Sequence, residues 1–193
     1  MTNTAHSNSI AGLASPANLL TISRIVLSPL LFLVILDAEA TSGTSWLAFS
    51  MGWLFGVTDY LDGPIARRTG SVSRSGAFLD PFADKVVVLG VAFSLVAVDR
   101  LHWLPVAIVA ARELGISGLR IYWAQRDLAM PARRSAKYKT LLQGLALAAA
   151  TMPTLETSQG FVDAFWWVAV IVTVVTGAQY VRDGRGATSA RGG

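Results

Sequence analysis

The sequence predicts an all-α integral membrane protein with six transmembrane helices, and three observations carry that prediction. Of its 193 residues 53% are hydrophobic and 15% are charged, where a soluble domain carries about 25% charged residues. The apolar residues gather in six runs, each able to hold the roughly 17 to 25 residues of helix that cross a bilayer core. Lysines and arginines collect in alternate connections between those runs, the pattern that the positive-inside rule gives a multispanning chain.

The elements follow in order. The opening MTNTAHSNSIAGLAS has no lysine or arginine and no long apolar core, so residues 1–15 read as a polar lead-in and not as a cleaved signal peptide. Helices are expected near 18–37, 45–65, 77–98, 102–124, 137–155 and 161–181, the first opened by Pro16, a residue suited to a first helical turn. Between them lie DAEATSGTS, RRTGSVSRSG, DRLH, RDLAMPARRS and LETSQG, all rich in turn-forming or charged residues. The polar, Gly-rich segment from 183 to 193 is expected to be a disordered tail, leaving 16–182 as one membrane domain. Internal repeats and a separate soluble domain are absent from the sequence.

Arg67, Arg68 and Arg74, then Arg126, Arg133, Arg134, Lys137 and Lys139, then Arg182, Arg185 and Arg191 fall on one side of this topology. The other side has Arg100 as its strong base, alongside Asp37, Glu39, Asp99 and Glu156, so both termini are expected in the cytoplasm of a cell-membrane protein. The net charge of +4 is therefore a topology signal and no sign of a nucleic-acid partner. With no cysteine, disulfides, thiolate metal ligands and thiol nucleophiles are excluded. His6 and His102 lack metal-ligand spacing and receive no role, and the six tryptophans read as interfacial or lipid-facing anchors.

The chemistry concentrates in DYLDGPIARRTGSVSRSGAFLDPFADK, residues 59–85. Asp59 and Asp62 are three apart with Gly63 and Ala66 on the same helical stripe, and Asp80 and Asp84 are four apart on the next helix. Both pairs sit at the cytoplasmic ends of consecutive helices, so four carboxylates can converge. Such a cluster repels itself in low dielectric unless cations occupy it. Carboxylates without His or Cys partners suit Mg²⁺, Mn²⁺ or Ca²⁺, and two pairs can hold two ions, as in phosphoryl-transfer sites. Gly63, Ala66 and Gly76 leave room for a bulky ligand, and Arg67 suits a phosphate. Any one of these residues alone would read as a solvated interfacial group, but four intramembrane carboxylates at this spacing are functional by default.

The string D-x2-D-G-x2-A-R-x8-G-x3-D-x3-D, filled at every fixed position by Asp59, Asp62, Gly63, Ala66, Arg67, Gly76, Asp80 and Asp84, resembles the signature of the CDP-alcohol phosphatidyltransferases. The resemblance implies that family's six-helix fold, a homodimer, and transfer of a phosphatidyl group from CDP-diacylglycerol to an alcohol with release of CMP. It further implies two Mg²⁺ or Mn²⁺ ions held by the four aspartates, Asp84 as the proton acceptor, and Gly63, Arg67 and Ser73 against the cytidine diphosphate. Asn18, Thr21 and Arg24, at the start of the first helix, are candidates to cap it and to contact the nucleotide lipid.

PANLLTISR in the first helix, ARELGISGLR in the fourth and KYKT opening the fifth resemble the phosphatidylglycerophosphate synthase branch, whose acceptor is glycerol 3-phosphate. The residues fit an anionic acceptor: Arg112, Arg120, Lys137 and Lys139 supply cations, Glu113 orients an arginine and Ser117 adds a hydroxyl. Interface anchoring alone would account for Arg133 and Arg134, and a Glu113 pairing would account for a buried arginine without any ligand. Other acceptors within the family, as in a cardiolipin synthase or a phosphatidylinositol-phosphate synthase, are the near alternative. A divalent-cation transporter is the distant one, with carboxylates at one face beside Gly and Arg arguing against it.

Overall fold

The computed structural model describes residues 16–69, 74–126 and 134–189, with side chains over 19–59, 81–126 and 138–184. Six α-helices span the described residues: α1 Pro16–Asp37, α2 Trp46–Thr69, α3 Arg74–Ala97, α4 Trp103–Ala124, α5 Arg134–Thr151 and α6 Gln159–Ser189. Short 3₁₀ turns at Glu39–Thr41 and Pro153–Leu155 interrupt two of the connections. Each helix begins within three residues of its expected start. Three ends differ from expectation by four residues or more: α2 runs on to Thr69, past 65, and the other two differ for local reasons. α5 stops at Thr151, short of 155, because Pro153 opens a 3₁₀ turn. α6 runs to Ser189, into the segment expected to be a disordered tail from 183, and a Cβ on buried Gly184 in that extension would overlap the Trp123 ring of α4.

Among the described residues two helices are long and apolar enough to cross a membrane, over Leu19–Asp37 and Gln159–Gly184. Of the others only α4 is described with side chains over its full length, and it carries Arg112, Glu113 and Arg120. α1 stays helical through Pro29 because the carbonyl of Ile25, deprived of its usual N–H partner, accepts from Ser28 Oγ at 2.9 Å. In an apolar surrounding that repair removes an unsatisfied carbonyl.

α1 packs on α2 and α3, α5 packs on α2, α3 and α6, and α4 packs on α3 and α6. The core combines Leu31, Ile35, Leu95, Val106, Val109 and Trp166 with small Ala48, Ala92, Ala146, Ala150 and Ala169, which let helix backbones approach closely. Gly90 of α3 meets the Phe32 ring of α1 where a Cβ would overlap it. Large apolar side chains such as Val26, Leu33, Trp53, Leu114 and Ile171 point outward, a surface suited to lipid.

The connections 38–45, 98–102 and 152–158 are held together by bonds to one another and to the end of α5. Gly43 has φ +78, and a Cβ there would stand 2.9 Å from Val98 Cγ2, so both backbone and space demand glycine. Ser45 N donates to Thr151 O at 3.1 Å. Arg100, 1% exposed, donates to the carbonyls of Ala150 (3.1 Å), Leu155 (2.6 Å) and Glu156 (2.8 Å) and to Gln159 Oε1 (2.9 Å). Burial pushes the Arg100 pKa down from its ordinary value, and the carboxylates of Asp163 and Glu156 oppose that shift. His102 caps α4, its Nδ1 accepting from Leu104 N at 3.3 Å.

Candidate active site

The aspartates lie on α2, which carries Asp59 and Asp62, and on α3, which carries Asp80 and Asp84. These two helices share their supports, since both pack on α1 and both pack on α5. The described side chains in this group are Asp59 and Asp84. Asp62, Gly63, Ala66, Arg67, Gly76 and Asp80 have described helical backbone only, as do Asn18 and Lys137, and Ser73 lies outside the described residues.

Asp59 is partly exposed, and its Oδ1 pairs with Nη1 of buried Arg24 on α1. Arg24, expected at the nucleotide, thus also supplies a fixed counter-charge to one carboxylate of the cluster. Thr21, also expected at the nucleotide, is fully buried one turn earlier on α1. Asp84 sits where the charges of Asp59, Lys139, Glu113 and Lys85 all act on it. Lys85 folds back along α3 to donate to the Pro81 carbonyl at 2.9 Å.

The expected acceptor residues divide. Glu113 Oε1 accepts from both Arg112 Nη1 at 3.0 Å and Lys139 Nζ at 2.5 Å, with side chains 7% (Glu113), 14% (Arg112) and 6% (Lys139) exposed. Two cations therefore share one carboxylate inside the bundle. Arg112 reaches further, its Nε donating to Thr173 O at 3.1 Å and its Nη2 to Thr176 Oγ1 at 3.3 Å, which ties α4 to α6. Arg120 is exposed and lies over the Tyr180 ring, 5.8 Å from its centroid. Glu113, Ser117 and Arg120 do share a stripe of α4, yet the arginine that Glu113 orients is Arg112. Ser117 bonds its own helix, donating to the Glu113 carbonyl at 2.7 Å.

Sequence reasoning passed over Gln143, Thr173, Thr176 and Tyr180. Gln143 sits four residues after Lys139 and so on the same face of α5, a spacing that could have flagged it. Thr173 and Thr176 lie in an apolar run and gave no signal. Among the described residues no three His, Cys, Asp or Glu side chains gather as a metal site. The donors expected for one are the four aspartates, and two of their side chains fall outside the description.

Comparison with known proteins bears on the whole constellation. A family model for CDP-alcohol phosphatidyltransferase matches residues 14–176. A Rickettsia typhi protein named CDP-diacylglycerol–glycerol-3-phosphate 3-phosphatidyltransferase is 32% identical over 173 residues, covering 86% of this chain and 94% of its own. A Bacillus subtilis protein of the same name is 31% identical, over 84% of this chain and 91% of its own. A Mycobacterium tuberculosis protein named as a probable phosphatidylglycerophosphate synthase is 30% identical, over 89% of this chain and 82% of its own. The matched region takes in both aspartate helices, the Glu113 cluster and all but the last part of α6, and the chain belongs to the CDP-alcohol phosphatidyltransferase family.

Proposed function

We propose that this protein transfers the phosphatidyl group of CDP-diacylglycerol to glycerol 3-phosphate, giving phosphatidylglycerophosphate and CMP. The observation that carries the choice of acceptor is the buried pairing of Arg112 and Lys139 on the single carboxylate of Glu113, within electrostatic reach of Asp84. One carboxylate balances one cation. The surplus positive charge beside the proton acceptor suits an acceptor that carries its own phosphate. Relatives named for this reaction align over most of the chain and support the same reading.

The residues divide the work. Asp84 accepts the proton of the acceptor hydroxyl, and the freed oxygen pair attacks the β-phosphorus while the bond to CMP breaks. Arg112, Lys139, Lys137 and Arg120 hold the acceptor phosphate, with Ser117 on the same side of α4. Arg67 and Ser73 meet the diphosphate, Gly63, Ala66 and Gly76 leave space for it, and Asn18, Thr21 and Arg24 bound the nucleotide side. The oxygen-only donor set of Asp59, Asp62, Asp80 and Asp84 fits Mg²⁺ or Mn²⁺, two ions in all, and Arg24 already relieves part of its self-repulsion. When bound, the metal supplies positive charge against the diphosphate and the leaving CMP.

In this reading all six helices span the membrane, residues 16–182 form the catalytic domain, the protein works as a homodimer in the cell membrane, and the site and both termini face the cytoplasm. The alternation of basic connections supports that orientation. The test is purified protein with CDP-diacylglycerol and a panel of radiolabelled alcohols, following CMP release. Glycerol 3-phosphate is expected to be the acceptor used. Turnover with phosphatidylglycerol or inositol phosphate in its place would overturn the assignment.

A further inference from the structure

Behind the acceptor cations the bundle holds polar groups to which the reaction above gives no part. Gln143, 1% exposed, follows Lys139 by one turn of α5, and its Nε2 donates to Thr173 Oγ1 at 2.9 Å. Thr173 is fully buried on α6 and offers its carbonyl to Arg112 Nε at 3.1 Å. Arg112 bonds Glu113, and Glu113 bonds Lys139. The contacts close a ring through three helices: Lys139, Glu113, Arg112, Thr173, Gln143, and one turn of α5 back to Lys139.

Packing alone does not call for such a ring. Elsewhere the buried core residues of α5 and α6 are apolar, among them Ala146, Ala150, Val162, Ala169 and Val170, and a buried amide is costly unless its bonds are made. Gly177 adds a feature of a different kind. A Cβ there would stand 3.0 Å from Arg112 Nε and 3.2 Å from its Cγ, so the bare backbone gives the arginine stem its path along α6. One helix thus fixes Arg112 by a carbonyl on one turn and by missing bulk on the next.

We propose that Gln143 and Thr173 are positioning residues for the acceptor half of the site: they fix Arg112 through the Thr173 carbonyl and, through Glu113, the Lys139 ammonium beside Asp84. This rests on reading Arg112 and Lys139 as ligands of the acceptor phosphate. Without the Gln143 bond, α6 is free to shift its carbonyl away from Arg112, and a misplaced arginine loses part of its hold on the acceptor phosphate. The nucleotide lipid, held on the aspartate helices, does not depend on the ring.

The experiment uses the full chain in lipid nanodiscs with CDP-diacylglycerol and the alcohol panel. Gln143→Leu and Thr173→Val should each raise the KM for glycerol 3-phosphate about three- to tenfold, the scale of one hydrogen bond, with the CDP-diacylglycerol KM held within about twofold. The double variant should be no worse than either single one, since both break the same contact. Thr173→Ser, which keeps the hydroxyl, should recover the acceptor KM lost in Thr173→Val. Gly177→Ala, which crowds Arg112 without removing a polar group, should give the same acceptor-specific shift. Equal changes in both KM values, a lowered thermal midpoint with acceptor KM unchanged, or a Thr173→Ser as impaired as Thr173→Val would overturn the proposal. If the wild-type chain uses another alcohol and not glycerol 3-phosphate, the acceptor assignment fails separately. The same variants are then scored on that alcohol, where a selective KM shift upholds positioning and its absence refutes it.

Discussion

Glu113 is one carboxylate serving two cations, so removing it and removing one of its partners have unequal consequences. Arg112 Nη1 and Lys139 Nζ bond the same oxygen at 3.0 and 2.5 Å, which places the two nitrogens no more than about 5.5 Å apart. At an effective dielectric of 20 their mutual repulsion is on the order of 3 kcal/mol once the intervening charge is gone. Glu113→Gln keeps an acceptor oxygen but loses that charge, so it should destabilise the fold by about 3 to 5 kcal/mol, as expected when a buried pair loses one member. Lys139→Met leaves Arg112 and Glu113 as a neutral pair and removes one charge-assisted bond, about 1.5 to 3 kcal/mol. The double variant Glu113→Gln/Lys139→Met removes the repelling pair and should be more stable than Glu113→Gln alone. Thermal unfolding in a fixed detergent, read by intrinsic fluorescence, ranks the three. Lys139→Met falling below Glu113→Gln, or a double variant less stable than both, would refute the charge accounting.

Other expectations are quickly stated. Asp84→Asn should abolish transfer with the thermal midpoint retained, because the amide keeps the size of the side chain but is no useful base; a rate within a few-fold of wild type would remove Asp84 from that role. EDTA should stop turnover and added Mg²⁺ or Mn²⁺ restore it, since four carboxylates outnumber the Arg24 charge on Asp59 and the one unbalanced cation near Asp84; full activity in metal-free buffer would count against the two-ion site. Arg120→Ala should raise the KM for glycerol 3-phosphate about tenfold, with Arg133→Ala as the control that changes neither constant. Arg100→Met should lower the thermal midpoint while leaving both KM values in place, because the bonds it removes lie among the connections opposite the aspartates.

The sequence was most legible where a physical signal is local. Run length located the six helices, and Pro16 marked the start of α1. The D-x2-D and D-x3-D spacings located the reactive helices because a helical stripe can be counted directly. What depends on neighbouring helices was not legible. Nothing near Glu113 in the chain tells whether it pairs with Arg112, Arg120 or Lys139, since that choice is made by how α5 meets α4. Arg100 looked like a single base in a connection and proved to be among the most buried large side chains, its partners about 50 to 59 residues away. The helical run past 182 was hidden for a similar reason: Gly184 reads as a breaker in isolation, yet it is the residue that lets α6 lie against Trp123.

The bonds among the three connections opposite the aspartates have a mechanical consequence. Arg100, Gln159 and the Ser45–Thr151 contact clamp that end of the molecule, so a helix that tilts does so about a fixed foot. A 22-residue helix such as α1 or α4 is a lever about 33 Å long. A tilt of about 5° at the foot displaces its far end by roughly 3 Å, while side chains near the clamp hardly move. Arg24, Arg120 and the aspartates ride on the long arm, and the core around Ile35, Leu95 and Val106 stays near the pivot.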